Sequence, residues 1–273
     1  MLGIIILNYN SWELVIDCVN SIKGTIDNNK IEYKIYIIDN GSQNDSYEEL
    51  IYKYSGDSSC LVKSTGKNLG FSGGNNYGSK IAVEDGCDYL LITNSDVIFT
   101  ENSICNMYNA LKEKQSALVY PFVMNKDGTV QCKECMIGTR DVFYDFFVLR
   151  DKINRVLPMN IKKKYFINVE NIKNPINSTM YFGCCYMVDV KKYTDVDMLD
   201  ENVFLYYEEN ILSTKYLNKG YNMTFVPNAK IFHLCGASSN SEKTKRYVKK
   251  SRYYYLRYYK KYNKLLCYID SKI

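Results

Sequence analysis

Three short polar segments carry side chains able to hold a phosphorylated ligand: Asn8-Tyr9-Asn10, Asp39-Asn40-Gly41-Ser42 and Asn94-Ser95-Asp96. Each directly follows an apolar run. An aspartate at a strand end can accept hydrogen bonds from a ribose hydroxyl or a base imide, and another can hold a hard cation that neutralises a diphosphate. Any one segment alone is better explained by the local turn chemistry of Asn, Asp and Ser. Three together read as a nucleotide-diphosphate site, with Asn8, Asn10, Asp39, Asn94 and Asp96 as its candidate residues. Between the second and third segments lies NLGFSGGNNYG at 68–78, a glycine-rich turn opening a helix. Its bare amides and helix dipole favour an anion near Asn68, Gly74 and Asn75; close helix packing through glycine is the alternative reading. Glu208 and Glu209 form an acidic helix start, which by itself is an ordinary stabilising arrangement. His233 is the chain's only histidine.

The elements that must position these residues follow from hydrophobic periodicity. A continuous apolar run at 3–7 reads as a strand buried on both faces and 33–38 as a second buried strand, with further strands expected at 60–63 and 88–93. Between them, Ser11 caps a helix with Trp12, Val15, Ile16 and Val19 on one side, and further helices are expected from Asp45-Ser46, over 72–84 and over 101–113. Four strand–helix alternations predict a Rossmann-like α/β fold with a mostly parallel central sheet and helices on both faces, binding ligands at the carboxyl ends of its strands. A dinucleotide-type dehydrogenase is disfavoured, because its glycines belong after the first strand, where this chain has Asn8-Tyr9-Asn10-Ser11. Further strands are expected at 117–123, 182–188 and 223–226, and a helix over 207–219. Residues 132–178 give no assignable pattern.

With 46% hydrophobic residues in 273, the chain can bury a large core. No stretch approaches the roughly 20 apolar residues that span a bilayer, and no cleavage site follows the N-terminal run. The ten cysteines are expected as reduced thiols. The single CxxC, Cys132 and Cys135, and the adjacent Cys184 and Cys185 lack the second pair that a zinc site requires. The expected location is the cytoplasm. Net charge is +5, yet residues 243–264 hold ten of the 35 Lys and Arg residues and no acid. Tyr247, Tyr254, Tyr255, Tyr258 and Tyr262 recur there at helical spacing. That segment reads as a basic amphipathic helix at 243–266, suited to an anionic membrane surface at the inner face of the plasma membrane or to packing on the body. Nucleic acid is not expected as a partner, since the acidic body offers no extended positive surface.

ILNYNS, IIDNGSQND, NLGFSGGNNYG and LLITNSDV, in that order and spacing, resemble the successive signatures of family 2 glycosyltransferases of the GT-A type, particularly their rhamnosyltransferase-like branch. GCCYMVD at 183–189 and the segment 199–239 are similar to that branch's acceptor side, so the likeness covers about residues 3–240. It implies a domain at 1–240 followed by a helical tail at 241–273. The implied function is inverting transfer of a hexosyl group, rhamnosyl or galactosyl among the options, from a nucleoside-diphosphate sugar to a hydroxyl of a cell-surface glycan or lipid-linked acceptor. By position, Asp39 resembles the acid that contacts the nucleoside. Asp96 resembles the last member of a DxD-type motif that here has one carboxylate, and His233 a metal-ligating histidine for Mg²⁺ or Mn²⁺. Glu209 resembles the general base, with Glu208 second. The sequence departs from the family in having Glu rather than Asp at 209 and Ile at 211, which bears on acceptor geometry. A nucleotidyltransferase on a related sheet, or a membrane-attached scaffold without turnover, are the competing expectations.

Overall fold

The structure is a computed structural model that describes residues 1–26, 31–137, 166–234 and 242–272. Its centre is a nine-stranded mixed sheet. In chain order the first half contributes β1 (Leu2–Asn8), α1 (Trp12–Ile26), β2 (Tyr33–Asp39), α2 (Ser46–Tyr54), β3 (Cys60–Ser64), α3 (Gly70–Glu84), β4 (Tyr89–Asn94), β5 (Val97–Phe99) and α4 (Ser103–Glu113). The second half contributes β6 (Leu118–Met124), β7 (Glu134–Met136), β8 (Phe166–Asn168), β9 (Ile176–Ser178), β10 (Cys185–Asp189), α5 (Val190–Asp195), α6 (Glu208–Asn218), β11 (Met223–His233), α7 (Glu242–Tyr254), a π-helical turn (Tyr255–Tyr259) and α8 (Lys264–Lys272). The strand order is β3-β2-β1-β4-β10-β6-β11-β5, with β9 also on β11 and a separate β7–β8 ribbon.

The β-branched runs are strands because both faces of the sheet are covered. Ile4, Ile6, Ile35 and Ile37 face one core with Val15, Val19 and Ile22 of α1 and Met107 of α4. Ile5, Tyr36 and Ile38 face the other, with Ala82 of α3 and Tyr216 of α6. Strands β1 to β4 pair in parallel, as the alternation predicted. β10 then enters antiparallel between β4 and β6, restoring the original direction for β6 and for β11 beside it. The carboxyl ends of β1, β2, β4 and β11 therefore share one edge of the sheet, and so does the amino end of β10.

Two elements differ from the sequence expectation. The strand expected at 223–226 continues through Pro227 to His233, and its register on β6 shifts between Val226 and Lys230, opposite Pro121 and Phe122. A proline in each partner removes ladder donors, and the irregularity absorbs the mismatch. The tail is not one helix over 243–266. It turns at the π segment and at Lys261, whose φ is 57°, and Tyr255 and Leu256 are buried with Val203, Ile211 and Cys267 of the body and tail. Within the stretch left unassigned at 132–178, β7 to β9 are observed, while 138–165 lie outside the described residues, as does the 240/241 boundary.

Candidate active site

Register alone brings the strand-end residues together: Asn8 is opposite Asp39, and Leu7 is opposite Asn94. Asn8 donates from Nδ2 to Asp39 Oδ1 (2.9 Å), and the Ser42 amide donates to Asp39 Oδ2 (3.1 Å). Asn10 adopts φ 59°; its amide donates to Ser42 Oγ (2.9 Å) and its Oδ1 accepts from the Gln43 amide (2.7 Å). The loops after β1 and β2 are thus tied into one wall, in which Asn8 and Asp39 are buried and Asn10 is exposed.

The glycine-rich turn forms the next wall. Exposed Asn68 accepts from the Gly70 amide at 2.9 Å, and Asn40 bridges to the Gly70 carbonyl at 3.0 Å and the Leu69 amide at 3.0 Å. Gly74 and Asn75 sit one turn inside α3, where both are buried. A Cβ on Gly74 would lie 2.5 Å from Leu7 Cδ1, and Asn75 donates to the Phe71 carbonyl at 2.9 Å. These two residues back the crevice wall through packing.

On the other side of β4, the Asn94 amide donates to the Cys184 carbonyl at 2.9 Å, linking the third polar segment to the start of β10. Asp96 Oδ1 lies 3.3 Å from His233 Nε2, both side chains largely buried. The Leu234 amide donates to the Asp96 carbonyl at 2.9 Å, so β11 delivers His233 to Asp96 by backbone pairing beside β5. His233 Nδ1 lies 2.9 Å from Gln131 Oε1. With its proton on Nδ1, the ring donates to Gln131 and turns the Nε2 lone pair toward Asp96, the arrangement of an oriented metal-binding histidine. An octahedral Mg²⁺ or Mn²⁺ with bonds of about 2.0–2.1 Å sets neighbouring ligand atoms roughly 3 Å apart, which the Asp96–His233 separation fits. No group of three or more His, Cys, Asp or Glu is gathered among the described residues. The shell would be completed by phosphate oxygens and water, as is usual for such ions. Cys135, half of the CxxC, is buried with its Sγ 3.3 Å from the Tyr120 hydroxyl.

The acidic pair opens α6. Two consecutive left-handed residues, Tyr206 (φ 68°) and Tyr207 (φ 70°), lead into it. Such conformations cost about 1–3 kcal/mol each and persist where the surroundings enforce them. Glu208 is buried and its Oε2 has no hydrogen-bond partner. Burial and then the neighbouring Glu209 charge hold its carboxyl well above the ordinary range, against backbone hydrogen bonds that lower it. Glu209 is half-buried and lines a cavity of about 430 Å³ with Phe182, Tyr206, Asn210 and Arg252. Gly183 leaves room beside it: an added Cβ would sit 3.7 Å from Glu209 Cδ. Phe182 joins the two parts of the crevice, its ring standing edge-on to His233 at 6.5 Å while lining the Glu209 cavity.

Asp96 and His233 are thus in direct contact, Asp39 is two strands away along the same edge, and Glu209 is reached through 182–184. Sequence reasoning missed Gln131, Phe182 and Arg252. Only Phe182 had a signal, its place next to the GCC segment.

An open α/β sheet with polar loops gathered at the carboxyl ends of its parallel strands, and an Asp–His pair joined through Phe182 to a cavity lined by Glu209, defines a doubly wound protein with a switch-point crevice. The chain belongs to glycosyl transferase family 2, whose model matches residues 3–191. It is 25% identical over 209 residues to the low-salt glycan biosynthesis hexosyltransferase Agl10 of Haloferax volcanii, covering 76% of this chain and 59% of that relative. The chain therefore spans less than two thirds of the relative's length. Its fold is similar to the crystal structure of GalNAc-T7 with UDP, GalNAc and Mn²⁺, with a TM-score of 0.66 at 15% identity, covering 93% of this chain and 49% of that one. The GT-A architecture implied by the sequence motifs is the observed one.

Proposed function

We propose that the chain transfers a hexosyl group, with inversion, from a nucleoside-diphosphate sugar to a hydroxyl of a cell-surface glycan or lipid-linked acceptor. Family membership and the hexosyltransferase relative support the reaction class. The observation that carries the reading is the continuity of the crevice from the Asp96–His233 pair, past Phe182, to Glu209.

Asp39, held by Asn8 and the Ser42 amide, contacts the nucleoside. Asp96 and His233 would hold Mg²⁺ or Mn²⁺, which would offset charge on the diphosphate. Glu209, facing the cavity, takes the proton from the acceptor hydroxyl as that oxygen attacks the anomeric carbon opposite the departing diphosphate. Glu208 is buried behind it, and burial and then the Glu209 charge raise its carboxyl above the ordinary range. The aromatic cavity walls suit the apolar face of a sugar ring.

The tail adds a peripheral membrane position at the cytoplasmic face. Lys243, Lys245, Arg246, Lys249 and Lys250 are exposed on α7, and Tyr258, Leu265, Leu266 and Tyr268 are exposed near α8. This combination suits an anionic bilayer surface. Co-sedimentation with phosphatidylserine vesicles that is lost in a Leu265→Glu/Leu266→Glu variant is the expected outcome; equal pelleting with neutral vesicles would exclude the surface.

The test of the reaction is donor hydrolysis with Mn²⁺. The parent is expected to release free nucleoside diphosphate and Glu209→Gln to release roughly 10²–10⁴-fold less. Equal release by both would sink the assignment of the base, and no release by the parent with any nucleotide-sugar would favour a scaffold without turnover.

A further inference from the structure

The loop at 200–207 leads directly into Glu208 and Glu209, and the chain holds it from two sides. On the body side, the Phe71 amide of α3 donates to the Phe204 carbonyl at 2.8 Å. On the other side stands the C-terminal segment, which lies beyond the family match at 3–191. Asp200, 9% exposed, accepts at Oδ2 from the Tyr259 hydroxyl (2.6 Å) and the Tyr254 hydroxyl (3.1 Å). Its Oδ1 accepts from the Asn202 amide (2.9 Å) and Nδ2 (2.8 Å), bending the loop. Tyr247 stacks on Phe204 with centroids 4.7 Å apart, and Ser251 Oγ donates to the Leu205 carbonyl at 2.8 Å. Tyr207 packs on Tyr255 at 5.6 Å, and the Tyr255 hydroxyl lies 3.3 Å from Thr214 Oγ1 of α6.

Asp200, Phe204, Leu205 and Tyr207 of this loop are therefore each held by α7 or the π turn. The loop also ends in the left-handed pair Tyr206 and Tyr207, a conformation that relaxes unless neighbours over-determine it. We infer that residues 242–268 act as a strap, and that Asp200, Tyr254 and Tyr259 are positioning residues that fix Glu209 against the reacting centre. The inference rests on Glu209 being the base. Burial raises the Asp200 carboxyl, but hydrogen bonds from Tyr259, Asn202 and Tyr254 outweigh it and hold the group below its ordinary value, so it accepts those bonds as a carboxylate.

The experiment compares the full chain with Tyr254→Phe/Tyr259→Phe, which keeps both rings and removes both donors. Amide hydrogen exchange is expected to quicken across 203–211 while 66–78 stays unchanged. Donor hydrolysis is expected to lose roughly 10–100-fold in kcat with donor KM nearly constant, the effect of a misplaced group rather than a lost binding contact. Single Tyr259→Phe should move both readouts the same way by less, and serves if the double variant does not fold. Unchanged exchange at 203–211 would overturn the strap, and quickened exchange with unchanged kcat would overturn its positioning role. If the parent turns over no donor, the transferase reading falls while exchange still decides whether the strap exists.

Discussion

The proposed donor wall and the proposed acceptor wall of the crevice are assembled in different ways. Asn8, Asp39 and Asn94 each end a parallel strand, and pairing register sets them side by side within the first 94 residues. Glu209 follows a strained loop held by a segment some fifty residues further on, through Tyr247 on Phe204 and Ser251 on the Leu205 carbonyl. Backbone ladders position the first group, whereas side-chain packing and long-range hydrogen bonds position the second. Substitutions on the two walls should therefore fail in different ways.

The largest contrast is kinetic. Asp39→Asn should raise donor KM with the smaller change in kcat, because it removes binding common to ground and transition states. Glu209→Gln should lower kcat by roughly 10²–10⁴-fold at near-constant donor KM. Steady-state hydrolysis over a donor series separates them. Matching profiles would erase the distinction between the walls.

A second contrast uses two glycines of one loop. Gly70 has φ +76°, and a Cβ there would meet the Phe204 carbonyl at 2.4 Å, at the seam between the walls; Gly66 has φ +71° and nothing within 4 Å. Gly66→Ala carries only the backbone term, about 1 kcal/mol. Gly70→Ala adds displacement of the 200–207 loop and should cost about 3 kcal/mol or more by urea unfolding. Equal costs would mean the seam yields freely.

Gln131→Ala probes the orientation of His233. Loss of a partner behind a ligating histidine typically weakens metal binding about 10–100-fold. Mn²⁺ titration followed by thermal shift should show that loss with the fold intact, and an unchanged midpoint would remove Gln131 from the site.

The sequence was readable where one period decides the outcome. Ile4, Ile5 and Ile6 announce a strand buried on both faces, and a polar residue after such a strand must reach the crevice edge. The parallel half, the GT-A architecture and the contact between β11 and the Asp96 loop follow from such local signals combined with the family motifs. Pro227 hid the full length of β11, because a proline inside a strand pattern reads as its end and an irregular pairing is invisible before the partner strand is known. The tyrosine stripe at 247–262 gave the helical period but not the face it buries; Tyr255 goes inward and Tyr258 outward only because of Val203 and Ile211 on the body. Arg252 had no signal at all, since an arginine among ten basic residues looks like solvated surface.

The smallest expected effect concerns how the acceptor wall carries its charge. Glu208 has its carboxyl raised by burial first and by Glu209 second. A raised carboxyl binds its proton more tightly folded than unfolded, so the folded state holds more protons and stability falls as pH rises. The loss begins near the ordinary value of 4.5 and continues until the folded group itself ionises. Glu208→Gln keeps the shape and removes the titration. Its melting temperature should therefore exceed that of the parent at pH 8, with the difference shrinking toward zero near pH 4.5. A difference that stays constant across that range would mean Glu208 ionises normally in the fold, and the burial of an uncompensated carboxyl behind Glu209 would no longer distinguish this wall from the donor side.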